Sequence, residues 1–169
     1  PKHITQLFCD LLDVNEKGFT EEVVQDIVTN TYEWECMSEG LINTYSGIMT
    51  TENDTVNTTS AGEGITIPAS ILIGDTWKQT CQLISSDGKG QGELQRSLTY
   101  NRTAITIETV TVPAGTFEAI RVDYDLEADA SMETSDGHSL PLGIDYSSGS
   151  EWYVENIGLI KKTAGVKLD

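Results

Sequence analysis

Two histidines and three cysteines are all that the chain offers for nucleophilic or soft-metal chemistry. A Ser-His-Asp or Cys-His arrangement needs an imidazole held beside its nucleophile. His3 lies near a terminus, and His138 sits in the polar run Thr134-Ser-Asp-Gly-His-Ser139, so both are read as exposed polar residues and no catalytic residue is assigned. Cys9, Cys36 and Cys81 show neither CxxC nor Cys-His spacing, which argues against a zinc site. Cys36 and Cys81 each stand in a β-like stretch, where they are either buried small hydrophobes or partners in a disulfide. Free, buried thiols are the expectation. Ahead of Cys9, Gln6-Leu7-Phe8 lacks the small side chains that precede a lipid-modified cysteine.

Carboxylates are the abundant reactive group. Asp and Glu number 27 against 10 Lys and Arg, a formal net charge of −17. Glycoside hydrolysis needs two carboxyls at a fixed separation in space, which spacing in sequence does not set, and a solvated acidic face is the plainer reading. Glu52-Asn-Asp54, Asp123-Tyr-Asp125 and Glu127-Ala-Asp129 offer hard oxygen ligands, but none follows a calcium-loop pattern. Asp123 and Asp125 share a strand face and are read as solvent-facing charge, so no metal and no cofactor is assigned. Gly88-Lys-Gly-Gln-Gly92 lacks the Lys-Ser/Thr ending of a phosphate-cradling loop and reads as a turn. The Asn-x-Thr triplets at Asn53, Asn57 and Asn101 are expected by chance in a chain so rich in Asn and Thr.

The charge excludes partners as well. Affinity for a phosphate backbone comes from cations that displace counterions, so nucleic acid is a poor partner, and anionic membrane surfaces are disfavoured for the same reason. No run approaches the roughly 20 apolar residues of a membrane helix, so no transmembrane segment is expected. The opening PKHITQLFCDLL has no basic region followed by an apolar one, and a start at Pro reads as a mature or trimmed chain. Trp34, Trp77, Trp152 and Tyr153 either line a groove for an apolar ligand or glycan, or fill a core; core is the expectation.

The elements that must position these residues are strands. Thr20–Ile27 has apolar side chains at helical spacing, yet its β-branched content and the alternation of Tyr32-Glu-Trp-Glu-Cys36 favour strand for 30–36 and, narrowly, for 20–29. Leu41–Met49 reads as strand and 50–64 as an exposed loop. Pro68 keeps Ile65–Ile73 out of a central strand. Trp77–Ile84 is the next strand, and Ser85–Gly92 is turn chemistry. Thr103–Val112 alternates with Ala104, Thr106, Glu108 and Val110 on one face, and Thr116–Leu126 with Ile120, Val122, Tyr124 and Leu126 toward the core. Joined at Pro113-Ala-Gly115, they form a hairpin. Residues 129–145 read as loop or irregular edge, and a last strand runs from Gly149 through a turn near Gly158 to Lys162.

Two runs carry a resemblance. Glu108-Thr-Val-Thr-Val-Pro-Ala-Gly-Thr-Phe-Glu-Ala-Ile-Arg-Val122, followed by Glu151-Trp-Tyr-Val-Glu-Asn-Ile-Gly-Leu-Ile-Lys161, resembles the paired signature of DUF3108-type and TapB-like bacterial exported proteins. Gly74-Asp-Thr-Trp77 is similar to their strand start, so the likeness covers residues 70–163. It implies an all-β, exported domain with no established activity, and it carries no catalytic residue. The shared positions are turn residues and core aromatics.

The expected architecture is an antiparallel β-sandwich or partly open β-barrel of about eight strands with little helix. It forms a single domain over 1–169, with 1–40 an uncertain N-terminal segment and 41–169 the β core. The expected function is a non-enzymatic, extracytoplasmic binding or interaction module whose partner is a protein or a hydrophobic small molecule. A carrier of a lipid or other hydrophobic molecule in a barrel cavity is the alternative, and a carboxylate-dependent hydrolase comes last. A sizeable cavity would favour the carrier, convergent carboxylates the hydrolase, and a flat apolar patch the interaction module.

Overall fold

Alternating strands joined by short turns pair most cheaply with their chain neighbours, and here that process runs the length of the protein. The computed structural model describes residues 8–15, 17–25, 28–50, 55–86, 89 and 92–166, with 8–15, 25 and 166 described in backbone only. Eleven strands form one antiparallel sheet: β1 (Phe8–Asn15), β2 (Gly18–Gln25), β3 (Val28–Met37), β4 (Gly40–Thr50), β5 (Thr55–Glu63), β6 (Ile67–Pro68), β7 (Thr76–Ser86), β8 (Gly92–Val112), β9 (Gly115–Thr134), β10 (Ser139–Val154) and β11 (Gly158–Val166). Their spatial order is the chain order, except that the two-residue β6 pairs with β4 off the main path. The sheet curls into a half-barrel, and no helix occurs among the described residues. Of the two all-β alternatives this is the partly open barrel, and no described helix is long and apolar enough to cross a membrane.

The stretch 50–64 read as loop is strand over 55–63, and of the two readings left open for 129–145 the irregular edge is the one found. Residues 55–63 form β5, a central strand between β4 and β7, because its Thr and Ser side chains find polar partners in the sheet. Thr58 and Ser85 share a hydrogen bond at 2.9 Å, and Ser60 Oγ accepts the Tyr45 N–H at 2.5 Å. Residues 129–145 belong to a long hairpin of β9 and β10, whose Gly and Pro interruptions are absorbed by a register shift between Pro141 and Gly143. Its turn is set by Gly137 at φ 83° and by Thr134, which bonds Asp136 and the His138 carbonyl. Residues 18–25 and 28–37 are both strand, and β1 to β3 continue the same sheet as the rest.

β8 and β9, of 21 and 20 residues, are the spine. Their hairpin turns at Pro113-Ala114, with Gly115 at φ 145°. A register shift between Ala104 and Thr106 makes Ile105 an extra residue in β8, and a bulge reverses which side of the sheet the following residues face. Ala104 therefore packs with Val122 and Tyr153 on the concave side, backed by Ile67, Ile71, Trp77 and Ile120. Val110 joins Ala119 and Trp152 in a second cluster on the convex side. The single face drawn from Ala104 to Val110 in the sequence is thus split in two, while Val122 and Tyr124 are buried as expected.

Candidate functional site

The curl of the sheet encloses an open trough of about 790 Å³ on its concave side, within the 300–1,000 Å³ range of small-molecule sites. Strict alternation brings its lining together. On β8, Leu98, Tyr100 and Arg102 face inward; on β10, Glu151 and Tyr153; on β7, Gln79, Cys81 and Leu83; on β2 and β3, Phe19, Tyr32 and Trp34. Two aromatic pairs pave the end formed by β2 to β4, Phe19 stacked on Trp34 at 5.6 Å between centroids and Tyr32 tilted at 37° against Tyr45 at 5.5 Å. The indole N–H of Trp34 is covered and has no acceptor among the described residues.

A polar chain crosses the trough floor from β4 to β11. Thr66 Oγ1 accepts the Asn43 N–H and donates to Asn43 Oδ1, both at 3.1 Å, while Gln79 Nε2 donates to Thr66 Oγ1 at 2.8 Å. Gln79 Oε1 accepts from Arg102 Nη1 at 3.1 Å, and Arg102 Nε donates to Glu151 Oε2, also at 3.1 Å. Glu151 takes two further donors, the Tyr153 hydroxyl at 2.8 Å and Lys162 Nζ at 2.7 Å. The side chains of Arg102 and Glu151 are 5% and 3% exposed, that of Lys162 43%. Lys162 also lies over the Tyr124 ring at 4.9 Å, and Arg102 over Tyr100 at 4.6 Å.

The electrostatics follow from this packing. Burial by itself would raise the Glu151 carboxyl, but Arg102, Lys162 and Tyr153 together outweigh it and hold the group below its ordinary range. Burial and then the neighbouring Glu151 charge push the Tyr153 hydroxyl up, so it stays a donor. Burial raises Tyr100 and Cys81 as well. The Cys81 thiol is accordingly not an activated nucleophile. A carboxylate kept ionised and holding three donors is a fixed anchor, ill suited to proton transfer.

Of the four aromatics singled out in sequence, Trp34 and Tyr153 line the trough, Trp77 packs behind it, and Trp152 lies on the convex side under Lys161 at 4.4 Å. Trp152 also donates to Glu108 there. Cys36 is exposed and Cys81 half-buried; both are free, and β4 and β5 separate their strands. The burial expected of Cys36 is not found, because it sits at the rim end of β3 beside the turn into β4. Asp123 is taken up by Arg121 at 2.9 Å and Ser150 at 2.7 Å, and Arg121 holds its carboxyl low. Asp125 is exposed, and no group of three or more metal-ligating side chains is gathered among the described residues. His138 is exposed beside Asp136, as are Asn57 and Asn101; His3, Asn53, Asp54 and the side chain of Cys9 lie outside the described residues.

Arg102, Gln79, Glu151 and Lys162 were not singled out from the sequence. The available signal was parity: Arg102 alternates with Leu98, Tyr100 and Ala104, and Glu151 with Tyr153, so charge falls at inward positions. A family model described as DUF3108-like matches residues 14–164 of this chain. No curated protein and no solved structure matches it.

Proposed function

The chain belongs to the DUF3108-like family, and from that premise we propose that it is a non-enzymatic, extracytoplasmic binding protein that holds a hydrophobic small molecule in its concave trough. The observation that carries this reading is a trough of about 790 Å³, walled by paired aromatics and aliphatic side chains. Apolar walls with a few fixed polar groups are what a small-molecule site needs, since the walls supply affinity and the polar groups orientation. The extracytoplasmic setting rests on the resemblance of the Glu108–Val122 and Glu151–Lys161 runs to exported proteins.

A second reading has its own support. In the outer part of the β9–β10 hairpin, Leu140, Leu142, Ile144 and Tyr146 are each about half exposed, and they lie beyond Ser147–Val166, the last described pair of β10 with β11. An apolar stretch of this kind suits a protein partner. A hydrolase has the least support. Among the described residues, Glu21 and Glu151 are the carboxylates lining the trough, and Glu151 is committed to three donors.

Native mass spectrometry of the protein purified from its own host decides between the two supported readings. A bound molecule that disappears on gentle denaturation is the result expected of the trough. A bare polypeptide mass at full occupancy of the native fold would sink the carrier reading and leave the hairpin surface ahead.

A further inference from the structure

Among the described residues, four charged side chains line the trough: Glu21, Arg102, Glu151 and Lys162. They sum to zero on a molecule that carries −17, and they are unevenly placed. Arg102, Glu151 and Lys162 form one cluster with two cations and a single carboxylate, a local excess of one positive charge. The carboxylate is sealed, with Glu151 only 2% exposed as a residue, whereas the Lys162 side chain is 43% exposed. The charge that the cluster turns toward the trough is therefore the cation. An ammonium has three donors, and the bond to Glu151 Oε1 uses one of them. Glu21 stands on β2 and is near enough to Tyr32 to help raise its hydroxyl, so the opposing charge sits at the aromatic end. Tyr100 and Tyr124 flank Lys162 with their rings at 5.8 and 4.9 Å, which leaves an apolar approach to the ammonium.

Taking the trough as the binding site proposed above, we infer that its ligand is an anionic amphiphile, whose single negative headgroup meets Lys162 at the polar end while its apolar body lies along the aromatic and aliphatic walls. The field of the whole molecule opposes this choice, because a charge of −17 repels anions at long range. At physiological ionic strength that field fades over about 8 Å, whereas the headgroup would contact Lys162 directly in a site lined by protein. A charge-assisted hydrogen bond in such surroundings outweighs a screened field. Two competing ligand classes follow the same walls but not the same charge: a neutral amphiphile would gain nothing from Lys162, and a cationic one would meet it as a repulsion.

Isothermal titration of the full chain with dodecanoate, dodecanol and dodecyltrimethylammonium, each below its micellar concentration, separates these possibilities. Dodecanoate is expected to bind about tenfold or more tighter than dodecanol, a difference of about 1.4 kcal/mol, and the ammonium compound weakest. In Lys162→Gln that ratio falls toward one while dodecanol binding is retained, and Lys162→Arg keeps the preference. Equal binding of dodecanoate and dodecanol, or a ratio unmoved in Lys162→Gln, overturns the anionic headgroup and leaves the trough reading standing. Failure of all three compounds to bind removes the trough reading and this inference together. Inorganic phosphate binding as heat-evolving as dodecanoate, with no gain from the alkyl chain, would reduce the site to a simple anion site and overturn the amphiphile.

Discussion

At the residue scale the central feature is the ion pair of Arg102 with Glu151, buried at 3.1 Å and tied on one side to Gln79 and on the other to Tyr153 and Lys162. Removing Arg102 takes the buried cation from Glu151 and leaves the carboxylate to Lys162 and Tyr153 alone, so Arg102→Met is expected to cost about 3 kcal/mol in urea denaturation, the lower end for a broken buried pair. Replacing both members by apolar residues should recover much of that loss. The pH dependence has a definite sign. Because Glu151 titrates lower folded than unfolded, its stabilisation is present above the unfolded glutamate pKa of about 4.3 and is lost as pH falls through the lower, folded value. Denaturation curves of the native chain should therefore steepen in their loss of stability below about pH 4.5, and Glu151→Gln should flatten that limb. An unchanged limb in Glu151→Gln would show that other carboxylates carry acid sensitivity. The sequence concealed this cluster because its members come from β8, β10 and β11, and Glu151 and Lys162 face each other only once the strands are in register.

At the scale of elements, what decides the site is parity along strands and the places where it breaks. The bulge at Ile105 reverses the parity of β8, so that Arg102 and Ala104 face the concave side while Val110, of the same parity in sequence, joins the convex cluster. On β11, adjacent lysines divide the same way, Lys161 over Trp152 outside and Lys162 over Tyr124 inside. Tyr124 reaches its place because its cross-strand partner is Gly149, over which the ring lies in the manner of an aromatic covering a strand glycine. A Cβ at position 149 would run into the Tyr124 hydroxyl and the Thr163 carbonyl, whose hydrogen bond at 3.3 Å ties β9 to β11. Gly149→Ala should thus destabilise by about 1–3 kcal/mol in thermal or urea unfolding and displace Tyr124 from beside Lys162. A fully stable Gly149→Ala protein would mean that the sheet gives way there more easily than its packing indicates. None of this was legible from composition: the strand expected to begin near Gly149 starts at Ser139, which puts Gly149 inside β10 and opposite Tyr124. The exposed loop expected over 50–64 was misread for a related reason: polar β-branched residues look like loop until neighbouring strands satisfy them.

At the scale of the whole molecule, an open curled sheet buries less than a closed barrel and relies on one long spine, β8 and β9, with small clusters on either side. The excess of 17 negative charges adds self-repulsion that favours the expanded state. Screening should relieve it, so the melting temperature is expected to rise by several degrees, roughly 4–8 °C per kcal/mol recovered in a small domain and less in one of this size, between about 10 and 200 mM sodium chloride. A melting temperature that falls with salt would indicate that the specific ion pairs outweigh the general repulsion.

The sequence by itself determined the all-β class, the β8–β9 hairpin with its Pro113-Ala-Gly115 turn, and the family signature in its two runs, because period-two alternation and turn chemistry are local properties read within a few residues. It also determined the acidity. The trough, the pairing of Arg102 with Glu151 and Lys162, and the separation of Trp34 and Tyr153 from Trp152 were decided only by tertiary structure. Register and bulges fix which side of a sheet each side chain faces, a one-residue shift reverses every assignment beyond it, and the curl that turns one side into a cavity arises from the whole sheet.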